Sequence, residues 1–575
     1  MTMTGAQIVV RALEDEGIEL AFGIPGTHNI ELYDVLAVSK SVRPVLVTDE
    51  QSASFAADGA WRASGRLACV NVVPGAGLTH ALSGIAEAFM DNVPLLVLGC
   101  GIRRDTNRAF QLHDVDQRAM VKPVTKAQLL PENGEDLYLH IRRACRIARE
   151  GAPGPVFVEV PANLYLTTHD VDLEALSKRR TSSHEVVMMS ESGLKKVTQL
   201  LKTIRQPLIY AGLGAAGAAT ELLEFAERLG APVCTTFSGK GVFPESRMLA
   251  LWPGFGAAAP PFVNEIIKSC DATIAIGCKF GEVATASYGI EPPRPLIHID
   301  IDPRVIDRNF PADVGITGDA REVLPLLIRA APARTRSHLL PKKIKEGHEA
   351  VRKEWEAQDG ALVSPYRLLT ALQQRLGPQT VYTTDSGNGT FLAMEMLRLD
   401  APGKFLAPVD YSCMGYAVPA AIGAKLARPD CPVVALAGDG AFLMTGLELL
   451  TASHLGLGVA CIVLRDRELG QIAQFQETAM NRKTASVLPD YDLAPLAQAL
   501  GVESVRLDRN DQIDVVLGRV MDVTASGRPI VVDCAIDYSH KTFFTRGVVK
   551  TNLLRMAWPD RLRFIGRAAA RKVLG

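Results

Sequence analysis

The ten cysteines of this 575-residue chain contain no Cys-x-x-Cys pair. Scattered singly from Cys69 to Cys534, they offer neither a zinc cluster nor a disulfide framework, and they read as buried thiols of a reducing compartment. Long hydrophobic runs are missing as well. No window approaches the roughly 18 uninterrupted apolar residues of a membrane span. The start, MTMTGAQIVVRALEDEG, reads as an amphipathic helix with Glu14, Asp15 and Glu16 rather than as a basic, apolar secretory leader. There is almost no net charge: 62 Lys and Arg against 63 Asp and Glu leave −1, too little to draw nucleic acid or an acidic membrane. The expectation is a cytoplasmic enzyme, with neither nucleic acid nor membrane as partner.

What is present is a rhythm. Short β-branched runs (RPVLVT, LACVNVV, PLLVLGC, PLIYAG, ATIAIG, PLIHIDID, PVVALAG, ACIVLRD, PIVVDCAID) alternate with helical stretches and Gly turns. That alternation predicts an α/β protein of parallel, doubly wound sheets covered on both faces. At this length one hydrophobic core does not suffice. Polar residues near 166–192 and charged ones near 334–358 read as linkers or surface helices. The expected units are 1–170, 190–335 and 360–540, followed by a tail, 541–575. From Thr551 onward that tail carries Arg555, Arg561, Arg563, Arg567, Arg571 and Lys572 against one acid, Asp560. Three readings stay open for it: a surface-docked amphipathic helix, a flap over an anionic ligand such as a diphosphate or CoA, and a membrane-surface helix.

Chemistry concentrates in the third unit. The run PVVALAG enters Gly438-Asp439-Gly440, a helical stretch follows, and a second run, ACIVL, ends at Arg465-Asp466. Glycines flanking a carboxylate at a strand end let backbone N–H groups approach a phosphate. Asp439 and Asp466 stand at the ends of successive strands, where ligands bind in such sheets, and Mg²⁺ on a diphosphate takes about two protein carboxylates.

The stretch from Gly438 to Asp466 resembles the thiamine-diphosphate motif, which opens with GDG and closes with an Asn pair. Here the pair is Arg465-Asp466, which keeps an oxygen ligand and adds a negative charge. The resemblance spans nearly the whole chain and is to the acetolactate synthase, benzaldehyde lyase and 2-oxo acid decarboxylase type. It implies pyrimidine-binding, central and diphosphate-binding domains in that order, with thiamine diphosphate and Mg²⁺ as cofactors. Asp439, Asp466 and the backbone carbonyl of Glu468 are the implied metal ligands. TDEQSASFAADGAWRASG (48–65) looks like the catalytic-glutamate helix, with Glu50 as the glutamate; FGIPGTHNIELYD (22–34) and VVPGAGLTHALSGIAEAFMDNVPLLVLGC (72–100), which holds Gly75, look like the neighbouring cofactor loops. SCMGYAVPAAIGAKLA (412–427) resembles the segment whose large apolar residue, here Met414, bends the cofactor, with Ser412 and Met414 supplying backbone contacts. TTDSGNGTF (383–391) resembles a diphosphate-side loop with Asn388 and Gly389 nearest the phosphate, joined by Gly438, Gly440 and Ala441. The carboxyl of Glu50 has to be sheltered from water to share a proton with the aminopyrimidine, and Phe55 and Ala57 are apolar neighbours in sequence.

Other positions bear on the reaction. His28 stands where the benzaldehyde-lyase type carries histidine, and Thr27 where simple decarboxylases carry an acid. His113 falls where the family usually carries a glutamine and pyruvate-decarboxylase-like enzymes a histidine, a natural proton shuttle, with Gln111 as the alternative occupant; Ile472 is the counter-evidence. Six residues past Asp466 stands Ile472, where simple decarboxylases place a glutamate, and Gln471 projects beside it. These residues point to carboligation or lyase chemistry, acetolactate-synthase-like, on 2-oxo acids or 2-hydroxyketones. The alternatives are a 2-hydroxyacyl-CoA lyase, a 2-oxo acid decarboxylase, or a non-catalytic subunit. The family places its active sites between subunits, which implies a homodimer or homotetramer. In the central unit Gly212, Gly214 and Gly217 form a G-x-G-x-x-G without an acid some twenty positions on. Such units hold FAD, an ADP moiety or nothing.

Overall fold

The computed structural model describes residues 2–179, 191–334, 338–358 and 360–574. Three six-stranded parallel sheets follow one another along the chain. The first contains Leu20–Gly23, Arg43–Leu46, Cys69–Val72, Leu96–Gly101, Gln128–Leu129 and Val156–Pro161. The third contains Val381–Thr384, Phe405–Leu406, Val433–Gly438, Val459–Arg465, Glu503–Leu507 and Ile530–Ala535. Numbered within each sheet, the strands of both run in the order 2-1-3-4-6-5, so these units share one topology. The central sheet runs 3-2-1-4-5-6 and contains Pro207–Ala211 and Ala272–Ile276 side by side. The strands are buried because helices cover both faces, which is why they read as unbroken apolar runs rather than alternating ones.

The order reverses between strands 1 and 3 of the outer sheets and between strands 1 and 4 of the central one. Connections leave such a point in opposite directions and open a crevice beyond the carboxyl ends of the strands. The three reversal points carry the residues that the sequence singles out: His28 and Gly75 in the first unit, Gly212 and Gly214 in the second, Asn388 and Asp439 in the third.

The first and third units are joined by two helices that meet through backbone. Glu50–Ser64 begins at the N-cap Asp49, whose carboxylate accepts from the Gln51 N–H, and ends at Gly65 in the left-handed conformation. It packs on Ala417–Ala427. Alanines face each other along the contact, and glycines permit the closest approach. A Cβ on Gly423 would lie 1.8 Å from the Ala56 carbonyl oxygen, and one on Gly59 would lie 2.3 Å from that of Ala420.

The charged stretch near 334–358 is not a linker or a purely superficial helix. Leu339–Glu356 buries Leu340, Ile344, Gly347, Val351 and Trp355 on one side, and the Trp355 indole donates to the buried carboxyl of Glu395 at 2.8 Å. Charges on the other face obscure this stripe in the sequence. Part of the polar stretch near 166–192 lies outside the described residues. All ten cysteines are free, and all but Cys413 are buried. No described helix is long and apolar enough to cross a membrane.

The helix contact makes a prediction. Gly423→Ala forces a methyl group into the Ala56 backbone and costs on the order of 1–3 kcal/mol, read as a fall of several degrees in thermal midpoint. Gly518→Ala, on a helix with nothing within 4 Å of the new methyl, leaves the midpoint unchanged or raises it. Equal midpoints for the two variants would show that the helix pair does not bear on stability.

Candidate functional site

The third sheet positions the acidic pair. Val433–Gly438 and Val459–Arg465 are adjacent parallel strands with Gly438 opposite Leu464, so Asp439 and Asp466 leave the sheet side by side. The Asp439 carboxylate accepts from the Arg467 N–H at 2.7 Å and the Gly440 N–H at 2.9 Å. Asp466 accepts from the Glu468 N–H at 3.1 Å. Burial, and then the neighbouring Asp439 charge, push the Asp466 carboxyl up to about 7. Burial also raises Asp439. Two buried carboxyls side by side in one cleft make a place that a cation would favour.

That cleft, about 110 Å³, is lined by Asn388, Gly389, Met414, Gly438, Asp439, Gly440, Ala441, Asp466, Glu468, Gln471 and Ile472. It also shows what fits it. The Asn388 side-chain amide nitrogen is buried without a partner at the start of the helix Asn388–Met396. A Cβ on Gly470 would meet the Asp466 carboxylate at 2.2 Å and this amide at 3.3 Å. An orphaned donor at a helix start, glycines that admit a close ligand and paired carboxyls suit a diphosphate carrying a divalent cation. The Glu468 side chain is occupied by Lys483, at 2.7 and 3.0 Å, so only its backbone carbonyl is left for a metal.

Asp385 is a functional residue that sequence reasoning passed over within the quoted TTDSGNGTF. Fully inside the protein, it accepts from the N–H groups of Gly415 at 2.8 Å and Ala417 at 2.9 Å. Burial pushes it up to about 6. It fixes the segment in which Ser412 and Gly415 take positive φ and Met414 reaches the cleft. Ser412 itself bonds Ser386 at 2.7 Å and lines a second, adjoining cavity.

The first unit holds a separate group. Glu50 opens its helix with only 6% exposure, beside the fully buried Phe55 and Ala57. Its carboxylate is 3.3 Å from the His80 Nδ1, and a Cβ on Gly77 would come within 2.9 Å of it. His80 lies in the quoted 72–100 stretch but was not singled out. The His28 and His113 rings meet edge to face at 5.5 Å. Burial first, then the His113 charge, lower the His28 pKa. Gln111 instead turns back on its own loop, donating to the carbonyls of Arg103 and Arg108. Gly75, at positive φ, donates to the Gln117 side chain at 3.1 Å, next to His113. Glu50, His28, His113 and Gly75 are not among the residues lining the acidic cleft of the same chain.

In the central unit the glycines of the G-x-G-x-x-G abut a cavity of about 1070 Å³. Two acids line this cavity instead, Asp300 at the end of the strand Leu296–Asp300 and Asp319 at the N-cap of the helix Ala320–Ala330, with Lys240 and Arg321 also on its walls. A fixed spacing from the glycines therefore misses them.

Comparison with known proteins agrees with this layout. The N-terminal thiamine pyrophosphate binding domain of thiamine pyrophosphate enzymes matches residues 3–120, their central domain residues 194–327, and their C-terminal binding domain residues 385–534. The chain is 33% identical to a probable acetolactate synthase large subunit of Methanocaldococcus jannaschii, over 93% of this chain and 92% of the relative. It is 31% identical to the acetolactate synthase large subunit of Corynebacterium glutamicum, over 92% and 86%. Against the acetolactate synthase isozyme 3 large subunit of Escherichia coli the figures are 29%, over 94% and 96%.

Repulsion in the acidic cleft has a measurable consequence. A carboxyl whose folded pKa is raised stabilises the fold at low pH and loses that contribution as pH rises through the folded value. For Asp466 the window runs from about 4 up to about 7. In chelator-treated protein, Asp466→Asn should melt above wild type at pH 8, with the difference vanishing toward pH 4. A lower midpoint for the variant at pH 8 would refute the repulsion.

Proposed function

Because the chain belongs to the thiamine pyrophosphate enzyme family, we propose that it makes or breaks a carbon–carbon bond beside a carbonyl, acetolactate-synthase-like, on 2-oxo acids or 2-hydroxyketones. In the ligation direction a 2-oxo acid loses its carboxylate as CO₂. Its acyl carbon joins the carbonyl carbon of an acceptor, whose oxygen takes up a proton. The observation that carries this reading is the junction between the acidic cleft and the adjoining cavity, which is formed by Ser386, Gly387 and Gln471 and holds no carboxylic acid. Ile472 beside it is equally unable to protonate a carbon. With no acid there, simple release of an aldehyde is disfavoured against attack on an acceptor.

Thiamine diphosphate, when bound, supplies a carbon nucleophile and an electron sink. The chain's own groups do the rest. Asp439, Asp466 and the Glu468 carbonyl would hold Mg²⁺, and Asn388 and Gly389 would receive the diphosphate. Gly438, Gly440 and Ala441 leave room for a ligand to approach the backbone, while Ser412 and Met414 would offer backbone groups to the pyrimidine. Glu50, buried at the start of its helix, would exchange a proton with the aminopyrimidine. His28, kept neutral by burial and by His113, can give or take a proton at a product hydroxyl near neutral pH. The basic tail gave the CoA-lyase alternative its support. Arg555 instead donates to the Ser287 carbonyl at 2.7 Å and Arg571 to that of Met480 at 3.0 Å, so neither is free for a phosphate.

A complete site draws on a second copy of the chain, since the Glu50 group and the acidic cleft stand apart within one. The apolar side chains of Leu443, Met444, Leu447 and Leu450, half exposed just after the GDG turn, support such an assembly. The central cavity suits an adenine nucleotide such as FAD or ADP, and chromatography of what denatured protein releases tests that.

Two outcomes are expected. Glu50→Gln lowers turnover at least about 10²-fold while thiamine diphosphate still binds, as followed by fluorescence quenching; full activity in the variant rejects the mechanism. Sizing at assay concentration gives a dimer or larger species, and a fully active monomer rejects the shared site.

A further inference from the structure

The cavity that adjoins the acidic cleft is built from three parts of the chain that are distant in sequence. Phe237 comes from the central unit, Phe391 and Phe475 from the third, and Phe544 from the tail helix Phe543–Arg555. Its volume is about 230 Å³. Phe544 lies 4.6 Å from Phe237 and 4.5 Å from Phe391, and those two rings are 6.0 Å apart. Val409 and Val548 extend this apolar wall. Polar side chains interrupt it: Ser386 and Gln471 stand on the side shared with the cleft, and Glu282, Ser287, Thr390 and Asn552 line the cavity as well.

Charge on the walls is of one sign. The single ionisable side chain lining the cavity is Glu282, which accepts from Ser287 at 3.4 Å. No Lys, Arg or His reaches it among the described residues. A substrate tail ending in a carboxylate or a phosphate would be desolvated there beside a like charge and without a partner. A methyl group, as in the smallest 2-oxo acid, would leave most of the space without contacts. A neutral ring meets the phenylalanine edges in the tilted arrangement that they already adopt among themselves.

We propose that this cavity receives the substituent of the substrate, and that the substituent is neutral, apolar and phenyl-sized. The inference rests on the proposed carbon–carbon bond chemistry at the adjoining cleft. Phe544 is its specificity-determining residue. The tail is thus a wall of the substrate site, with Phe544 and Val548 turned inward and Arg555 and Arg571 donating to neighbouring carbonyls.

The experiment uses the full chain with thiamine diphosphate and Mg²⁺, and acetaldehyde as a fixed acceptor. CO₂ release is followed with benzoylformate, pyruvate and 2-oxoglutarate. Benzoylformate should exceed each of the others at least about tenfold in kcat/KM. Preference for pyruvate or 2-oxoglutarate overturns the proposal without needing any variant. Phe544→Trp fills the cavity and should lower the benzoylformate-to-pyruvate ratio at least about tenfold; an unchanged ratio also overturns it. Exchange of the thiamine C2 proton with deuterium, read by NMR after acid quench, separates the two levels. Normal exchange without the preference sinks this inference alone, whereas absent exchange sinks the underlying chemistry with it.

Discussion

The contact between the helices Glu50–Ser64 and Ala417–Ala427 is the constraint around which the site is arranged. Side chains are almost eliminated from it, because Gly59 and Gly423 each bring a backbone against the carbonyl of the other helix. Such proximity leaves no slack, so the start of one helix, Glu50, and the segment before the other, Ser412 to Tyr416, are fixed relative to each other. Polar groups reinforce the joint. Asp58 is completely buried between Arg62 and Tyr416, while Arg62 reaches Asp91 at 2.9 Å. Asp91 in turn accepts from the N–H groups of Val409 and Asp410. Glu87 accepts from the Cys413 N–H and Glu448 from Thr48. Burial pushes Glu87 up to about 9, which marks how dry the seam is. Breaking one partner of such a network strands a buried charge, so the network acts as a unit.

Much of this architecture was legible in the sequence because parallel strands buried on both faces announce themselves as apolar runs. The metal-side residues were legible for a related reason: Gly438-Asp439-Gly440 and Arg465-Asp466 directly follow such runs, and adjacent parallel strands must bring their ends together. The helix Leu339–Glu356 was misread because charge hid a stripe of one residue in three or four. Asp385, Gln117 and His80 were invisible for another reason. Each acts through a partner distant in sequence, and no local pattern reports a hydrogen bond across a loop. The central unit shows the same limit, since Asp300 and Asp319 reach the glycine loop from connections that only the sheet order brings near.

The two aspartates and the aromatic cavity divide the labour of a single crevice. At one end burial raises the pKa of both Asp439 and Asp466, and such a carboxyl pair suits a cation that carries an anion. At the other end no Lys, Arg or His of the chain lines the walls among the described residues. A ligand that satisfies both ends is charged at the cleft and neutral at its far tip. Polarity therefore orients the substrate before any contact specific to it is made.

This polarity also explains why the tail belongs to the site. Val283 and Phe237 from the central unit, Phe391 from the third, and Phe544, Val548 and Asn552 from the helix Phe543–Arg555 line the cavity together. The anchorage of this helix is built from distant parts of the same units: the Phe543 N–H donates to Glu395 at 2.8 Å, and that carboxyl also receives the Trp355 indole. A Cβ on Gly547 would lie 2.4 Å from the Ala257 carbonyl oxygen, so the helix is seated on backbone here too. The same device, a glycine pressed against a carbonyl, thus fixes both the joint that carries Glu50 and the wall that closes the substrate cavity. Binding at this cavity is coupled to the docking of the tail, because an undocked helix would expose Phe237 and Phe391 to water and remove the surface on which an apolar substituent rests.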